Sequence, residues 1–335
     1  MTSAPDTAPA PDTAPAPDAA PAPDTAPLHA VRHDITVGAP AATVFGLIAD
    51  ATAWPRIFGP TVHVERLWSR GAQERLQLWA TANGTARTWT SIRTLDPASR
   101  RIGFRQERSP APIATMGGCW SFEPLPDGRT RVLLDHDFAV AGDDPAGLRW
   151  ISTAVDSNST AELSALKAHA EAGPTPLEDT FDDTIEIAGT AEDVYDFLNR
   201  ADLWPRRLPH VARLNLTEEQ AGLQIMEMET KTSDGSTHHT TSVRVCFPPE
   251  RIVYKQVVVP PLMTVHLGEW SITREGGRVT VTSRHTIRVN PATVESILGA
   301  GATIADARRF IRDALSRNSR TTLEHARSYA EGHRD

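Results

Sequence analysis

The chain contains itself twice, and that duplication limits its architecture more than any local motif does. The segment from Ile35 through Ala41, Val44, Phe45 and Trp54-Pro55-Arg56 returns about 150 residues later as Ile185, Ala191, Val194, Tyr195 and Trp204-Pro205-Arg206. The offset persists. Ser91-x-Arg93 matches Ser242-x-Arg244, and Arg101-Ile102-x-Phe104-x-Gln106 matches Arg251-Ile252-x-Tyr254-x-Gln256. Trp120-Ser121 matches Trp270-Ser271, His136 matches His285, and Asn158-Ser159 matches Asn318-Ser319. Such a period far exceeds the roughly 20–45 residues of a solenoid unit, so a complete domain is duplicated. With 335 residues, each copy is long enough to bury its own core.

The expected divisions are a tail over 1–28, a first domain over 29–173, a linker over 174–180 following Gly173-Pro174-Thr175-Pro176, and a second domain over 181–335. The tail repeats Ala-Pro-Asp-Thr-like units with no cation, which predicts an extended, solvated spacer. Asp6, Asp12, Asp18 and Asp24 lie in it, so the tail carries four of the eight net negative charges and the body is only mildly acidic. That balance does not suggest a nucleic-acid partner. No apolar run approaches the roughly 20 residues that cross a bilayer, and no leader pattern opens the chain, so a cytoplasmic location away from membranes is expected. Cys119 and Cys246 have no ligand spacing, which predicts structural thiols and no metal site.

Within one copy, the spacing predicts a strand near 34–37 and a helix near 41–50 with Val44, Leu47 and Ile48 on one face. Alternating segments near 62–68, 74–82, 86–95, 101–107, 116–123 and 130–140 read as an antiparallel sheet with turns such as Asp127-Gly128. A long helix over 144–172 closes the copy, its stripe marked by Leu148, Ile151, Val155, Leu163 and Leu166. The fold class is therefore α+β, with each curved sheet wrapped around a C-terminal helix and a cavity between them.

The informative residues are polar ones on apolar faces. Trp89, Ser91 and Arg93 share one face of their strand, and the fixed fork of an arginine suits a carbonyl or enolate oxygen. A solvated outer face is the other reading, because Ile92 points the opposite way. His136 interrupts the stripe Val132, Leu134, Phe138 and Val140, as either a satisfied core residue or a pocket acid/base. Asn158, three residues after Val155, is expected to reach the same interior, with Asp156 as a possible second acid/base group. Trp54, Pro55 and Phe58 suit a pocket mouth or a helix cap. Arg100, Arg101, Arg105 and Arg108 form a basic cluster that is either a docking patch for an acidic carrier or a plain solvated face.

Several stretches carry a family resemblance: 49–61 around Trp54-Pro55-Arg56, Trp79-Ala80-Thr81-Ala82-Asn83-Gly84, Arg87 to Arg93, Phe104-Arg105-Gln106-Glu107, Met116-Gly117-Gly118 and Val155-Asp156-Ser157-Asn158-Ser159. Together they are similar to the didomain aromatase/cyclases of bacterial type II polyketide synthesis. The likeness spans everything after the tail. It implies two tandem helix-grip domains of the START/SRPBCC (Bet v1-like) kind. It also implies aldol closure of the first ring with C7–C12 regiochemistry, then dehydration, of a ketoreduced poly-β-ketone on an acyl carrier protein. Other synthase subunits are implied partners, and no cofactor is required.

In those terms Arg93, Ser91, His136 and Asp156 would be catalytic, while Trp54, Trp89, Asn158, Phe58 and Met116 would hold the chain. The second copy offers Arg244, His285, Ser242, Trp204 and Asn318. It has Thr240 in place of Trp89, and Val243, Val245 and Phe247 make the opposite strand face more apolar, so the first copy is expected to do the principal chemistry. A non-catalytic carrier or sensor of a hydrophobic molecule, or a scaffold for a synthase complex, would fit the same fold.

Overall fold

The computed structural model describes residues 28–332 except 83, 110–111, 143, 173–176 and 232–234. The N-terminal tail repeats and the Gly173-Pro174-Thr175-Pro176 hinge thus lie outside the described residues. The first half runs β1 (His29–Val37), α1 (Ala41–Ala49), α2 (Trp54–Ile57), β2 (Thr61–Arg70), β3 (Gln73–Ala82), β4 (Thr85–Asp96), β5 (Arg101–Gln106), β6 (Ile113–Pro124), β7 (Thr130–Val140) and α3 (Pro145–Ala172). The second half repeats it as β8 (Glu178–Ile187), α4 (Ala191–Asn199), α5 (Trp204–Arg207), β9 (Val211–Gln220), β10 (Leu223–Lys231), β11 (Thr237–Phe247), β12 (Arg251–Val258), β13 (Met263–Glu275) and β14 (Arg278–Val289). A short α6 (Val294–Leu298) then precedes α7 (Ile304–Gly332).

Each half forms a seven-stranded antiparallel sheet, ordered β1-β7-β6-β5-β4-β3-β2 and β8-β14-β13-β12-β11-β10-β9. The closing helices run along the sheets on narrow stripes: Ile151, Val155, Ser159, Leu163 and Leu166 of α3 are buried, as are Ala307, Ile311, Ser319, Leu323 and Ala326 of α7. Thr303 starts α7 with a reciprocal cap. Its hydroxyl accepts from the Asp306 N–H at 3.2 Å, while its own N–H donates to the Asp306 carboxylate at 3.0 Å.

Strand β8 begins at Glu178, inside the stretch expected to be linker. Glu178, Asp179 and Thr180 lie opposite Arg288, Ile287 and Thr286 of β14, and the Glu178–Arg288 ion pair fixes that register. Their polarity made this turn of strand resemble loop.

The two sheets meet back to back. Val62, Trp79 and Ala86 of the first half pack on Leu223, Val243, Val245, Val253 and Phe247 of the second. The apolar outer face of β11, puzzling in sequence, is therefore the interdomain interface. Burying such aliphatic side chains is worth roughly 1.5–3 kcal/mol each. At its edge the Lys255 ammonium donates to the carbonyls of Pro55, Phe58 and Thr61 at 2.8, 2.7 and 3.0 Å.

Candidate active site

Arg93 does point inward, with its side chain only 2% exposed, but its donors are taken by its own domain. Its Nε donates to Glu74 Oε1 at 2.8 Å and a second donor reaches the same carboxylate. The remaining bonds go to Ile48 O at 2.8 Å and Ala49 O at 2.7 Å, the orphan carbonyls that end α1. The Trp54 ring covers the guanidinium at 5.0 Å and anchors its own Nε1–H on Ile48 O. Ser91 is likewise engaged, donating to Arg105 O at 3.0 Å. Trp89 packs with Trp54 against Leu76 and Leu78 beside this cluster.

His136 faces the same interior. Its Nδ1 lies 3.4 Å from Ser159 Oγ, and Phe104 meets its ring edge-on. Burial pulls the imidazole down to about 4, with His33 adding to the effect, so the ring is neutral at working pH. Met116 is buried with Phe138 and Val155. Asp156 and Asn158 do not join them. Both are exposed, because the inward stripe steps from Val155 to Ser159, and Asp156 instead meets His33 at 3.0 Å on the outer side. Phe58 is buried beneath the loop gripped by Lys255. In the basic cluster, Arg105 is tied to Asp137 in a two-pronged pair, which reduces its availability to a partner.

The second half uses the same positions differently. The counterpart of Glu74 is Gln224, whose amide turns to Asn199 and Glu218 and away from the arginine. Arg244 is 1% exposed and donates through Nη2 to Leu198 O at 2.6 Å, while its Nη1 is buried with no partner among the described residues. Trp204 covers it at 5.5 Å. Arg244 lines a cavity with Trp204, Ser242, Tyr254, His285 and Asn318. Thr240 also lines it, leaving open the space that Trp89 fills in the first half. Ser242 Oγ, Gln256 Oε1, His210 Nδ1 and His266 Nδ1 are further buried polar atoms without partners among the described residues, and all four residues line this cavity. An unpaired buried group costs about 1–3 kcal/mol, so five around one void mark a place built for a polar guest.

A chain of hydrogen bonds backs the cavity. His266 Nε2 lies 2.9 Å from His285 Nδ1, and His285 Nε2 lies 2.6 Å from Ser319 Oγ, which also accepts from Ser283 at 3.2 Å. Burial drives His285 to about 4 and His266 well down, so both rings are neutral. Tyr254 lies across Gly268, where a Cβ would come within 2.0 Å of the phenol ring, and its hydroxyl sits 3.5 Å from His285.

Residues 29–171 and 178–331 each match the family described as "Polyketide cyclase / dehydrase and lipid transport". The chain belongs to this family. Among relatives of this polyketide cyclase/dehydrase member, the granaticin polyketide synthase bifunctional cyclase/dehydratase of Streptomyces violaceoruber is 46% identical over 91% of this chain and 95% of its own. The actinorhodin polyketide synthase bifunctional cyclase/dehydratase of Streptomyces coelicolor is 47% identical over 90% and 97% respectively. Two solved di-domain ARO/CYC proteins share the fold. BexL of the BE-7585A pathway is 50% identical with a TM-score of 0.84, and StfQ of the steffimycin pathway is 36% identical with a TM-score of 0.79. Each covers 90% of this chain over 99% of its own. Among the described residues no helix is long and apolar enough to cross a membrane.

Sequence reasoning missed four residues of this polyketide cyclase/dehydrase. Glu74 shares the parity of Leu76 and Leu78, a carboxylate on an apolar face, and that was the available signal for a buried counter-ion. His266 and Tyr254 stand at the repeat positions of Met116 and Phe104, so the offset itself pointed to them. Glu162, half-buried on the turn after Ser159, has its carboxyl raised to about 7 by burial.

Proposed function

We propose that this protein is a polyketide cyclase/dehydratase that bends a carrier-bound, ketoreduced poly-β-ketone, closes its first ring between C7 and C12, and expels water. The observation that carries the reading is the unpaired Nη1 of Arg244 beside a neutral histidine relay in one cavity. Arg244, aided by Ser242, holds the carbonyl oxygen whose charge grows as the enolate forms. The free Nδ1 of His266 takes the methylene proton, and His285 and Ser319 behind it position the ring and share the charge. Trp204 and Asn318 help to fix the chain in one folded conformer, which supplies much of the rate.

The first-half interior lacks a free guanidinium, since Glu74 and two carbonyls occupy Arg93. It offers Glu162, whose carboxyl burial raises to about 7 and so keeps a proton to give to a departing hydroxyl, while the neutral His136 can only accept or position. Ring closure is thus assigned to the second half and loss of water to the first. A carrier or sensor would need apolar walls but no such positioned proton donors and acceptors.

The test is reconstitution with a minimal synthase and ketoreductase. Arg244→Ala should yield wrongly cyclised products, while Glu162→Gln should accumulate the cyclised, still hydrated compound. Wild-type products from a folded Arg244→Ala protein would remove the assignment.

A further inference from the structure

A separate, partly open cleft of about 280 Å³ lies between the domains. It is lined by α2 and the two residues after it (55–59), by α3 at His169, and by Lys255, Gln256 and Arg288 of the second half, with no acid among its lining residues. Most of the cations there are already engaged. Lys255 spends its three hydrogens on loop carbonyls, and Arg288 pairs with Glu178. Two donors stay available. Arg56 is exposed and has no ion pair or hydrogen bond among the described residues. His169 accepts from Arg288 through Nδ1 at 2.8 Å, which places its own proton on Nε2. At the inner end, Gln256 lines both this cleft and the Arg244 cavity, and its buried Oε1 lacks a donor among the described residues.

We propose that this cleft seats the phosphopantetheine arm of the acyl carrier. The inference rests on the reading that the substrate is carrier-bound. The phosphodiester meets Arg56 and the Nε2–H of His169, where charge-assisted bonds to a phosphate are strongest. An amide N–H of the arm satisfies Gln256 Oε1, and the thioester beyond it delivers the acyl chain into the second-half cavity. An arm that is anionic at one end and amide-bearing along its length matches a cleft with cationic donors at its open side and a lone acceptor within. Lys255, with its hydrogens spent on the carbonyls of Pro55, Phe58 and Thr61, does not bond the ligand.

The experiment is calorimetric titration of the full-length protein with 4′-phosphopantetheine, pantetheine and inorganic phosphate, with wild-type ring formation scored in parallel. Phosphopantetheine should bind about tenfold or more tightly than pantetheine. Arg56→Ala should erase that ratio and Arg56→Lys should restore part of it, while Gln256→Leu should weaken both arms alike. Equal affinities for the two arms in a protein that makes the ring would overturn the arm site and leave the cyclase reading intact. An unchanged ratio in Arg56→Ala, or inorganic phosphate binding as tightly as the whole arm, would overturn it too. A phosphate-dependent arm affinity in a protein that makes no ring would support the site and count against the cyclase reading instead.

Discussion

Replacing Glu74 by glutamine tests whether the first-half arginine is structural. Arg93 and the Glu74 side chain are 2% and 4% exposed, so the substitution leaves a cation in the interior without its counter-ion. Glu74 also receives Arg66 Nε at 2.7 Å, and that half-exposed partner can turn to water. Breaking a buried pair by removing one member costs about 3–5 kcal/mol. Two bonds to the end of α1 survive, and the glutamine Oε1 can still accept from Arg93 Nε, which places the expected loss at the low end, about 3 kcal/mol. Glu74→Ala should approach the upper end. Urea unfolding followed by tryptophan fluorescence is the assay, since Trp54 stacks on the guanidinium at 5.0 Å and reports the site directly. The midpoint should fall with little change in slope. A midpoint equal to wild type would refute the reasoning, because Arg93 would then hold no energy in that pair and would be free to meet substrate.

Thr240→Trp copies into the second half the bulk that Trp89 has in the first; it should abolish ring formation at a cost of about 1–3 kcal/mol of stability, and normal product would show the second cavity to be idle. Lys255→Met leaves the carbonyls of Pro55, Phe58 and Thr61 without their donor, and protease susceptibility of the 55–61 loop should rise; an unchanged digestion pattern would count against the clamp. Acid should destabilise the fold through its neutral histidines. Burial holds His285 at about 4, while the unfolded chain protonates near about 6.5. The unfolded state therefore binds protons first, so this contribution is complete above about pH 6.5 and declines as pH falls toward 4, by about 3 kcal/mol for His285 alone. His285→Phe should flatten the melting-temperature profile over that range, and a profile as steep as wild type would exclude His285 as a source.

Much of the architecture was legible because the repeat multiplied every weak signal by two. The β4 periodicity put Ser91 and Arg93 on one face, and the structure buries both. What it could not convey was occupancy. Whether a buried guanidinium is spent or spare depends on the residue beside it in the next strand, Glu74 in one half and Gln224 in the other. The closing-helix reading went astray by one residue, since Asn158 at three positions from Val155 and Ser159 at four are both allowed by helical spacing. Only packing against the sheet selects the second. The apolar outer face of β11 was seen but not explained, because an alternation pattern does not say whether its greasy side meets a cavity or a neighbouring domain.

The back-to-back packing of the two sheets has a practical consequence for anyone who would mix halves from different family members. Produced alone, the second half would bare a patch of valines and a phenylalanine and the first half Val62, Trp79 and Ala86, and each would tend to stick to whatever it met first. A chimera keeps its solubility only if Val62, Trp79 and Ala86 travel with a complementary Val243, Val245 and Phe247 surface, and if a lysine still reaches across to the loop after α2. The seam, more than either cavity, decides which swaps will fold.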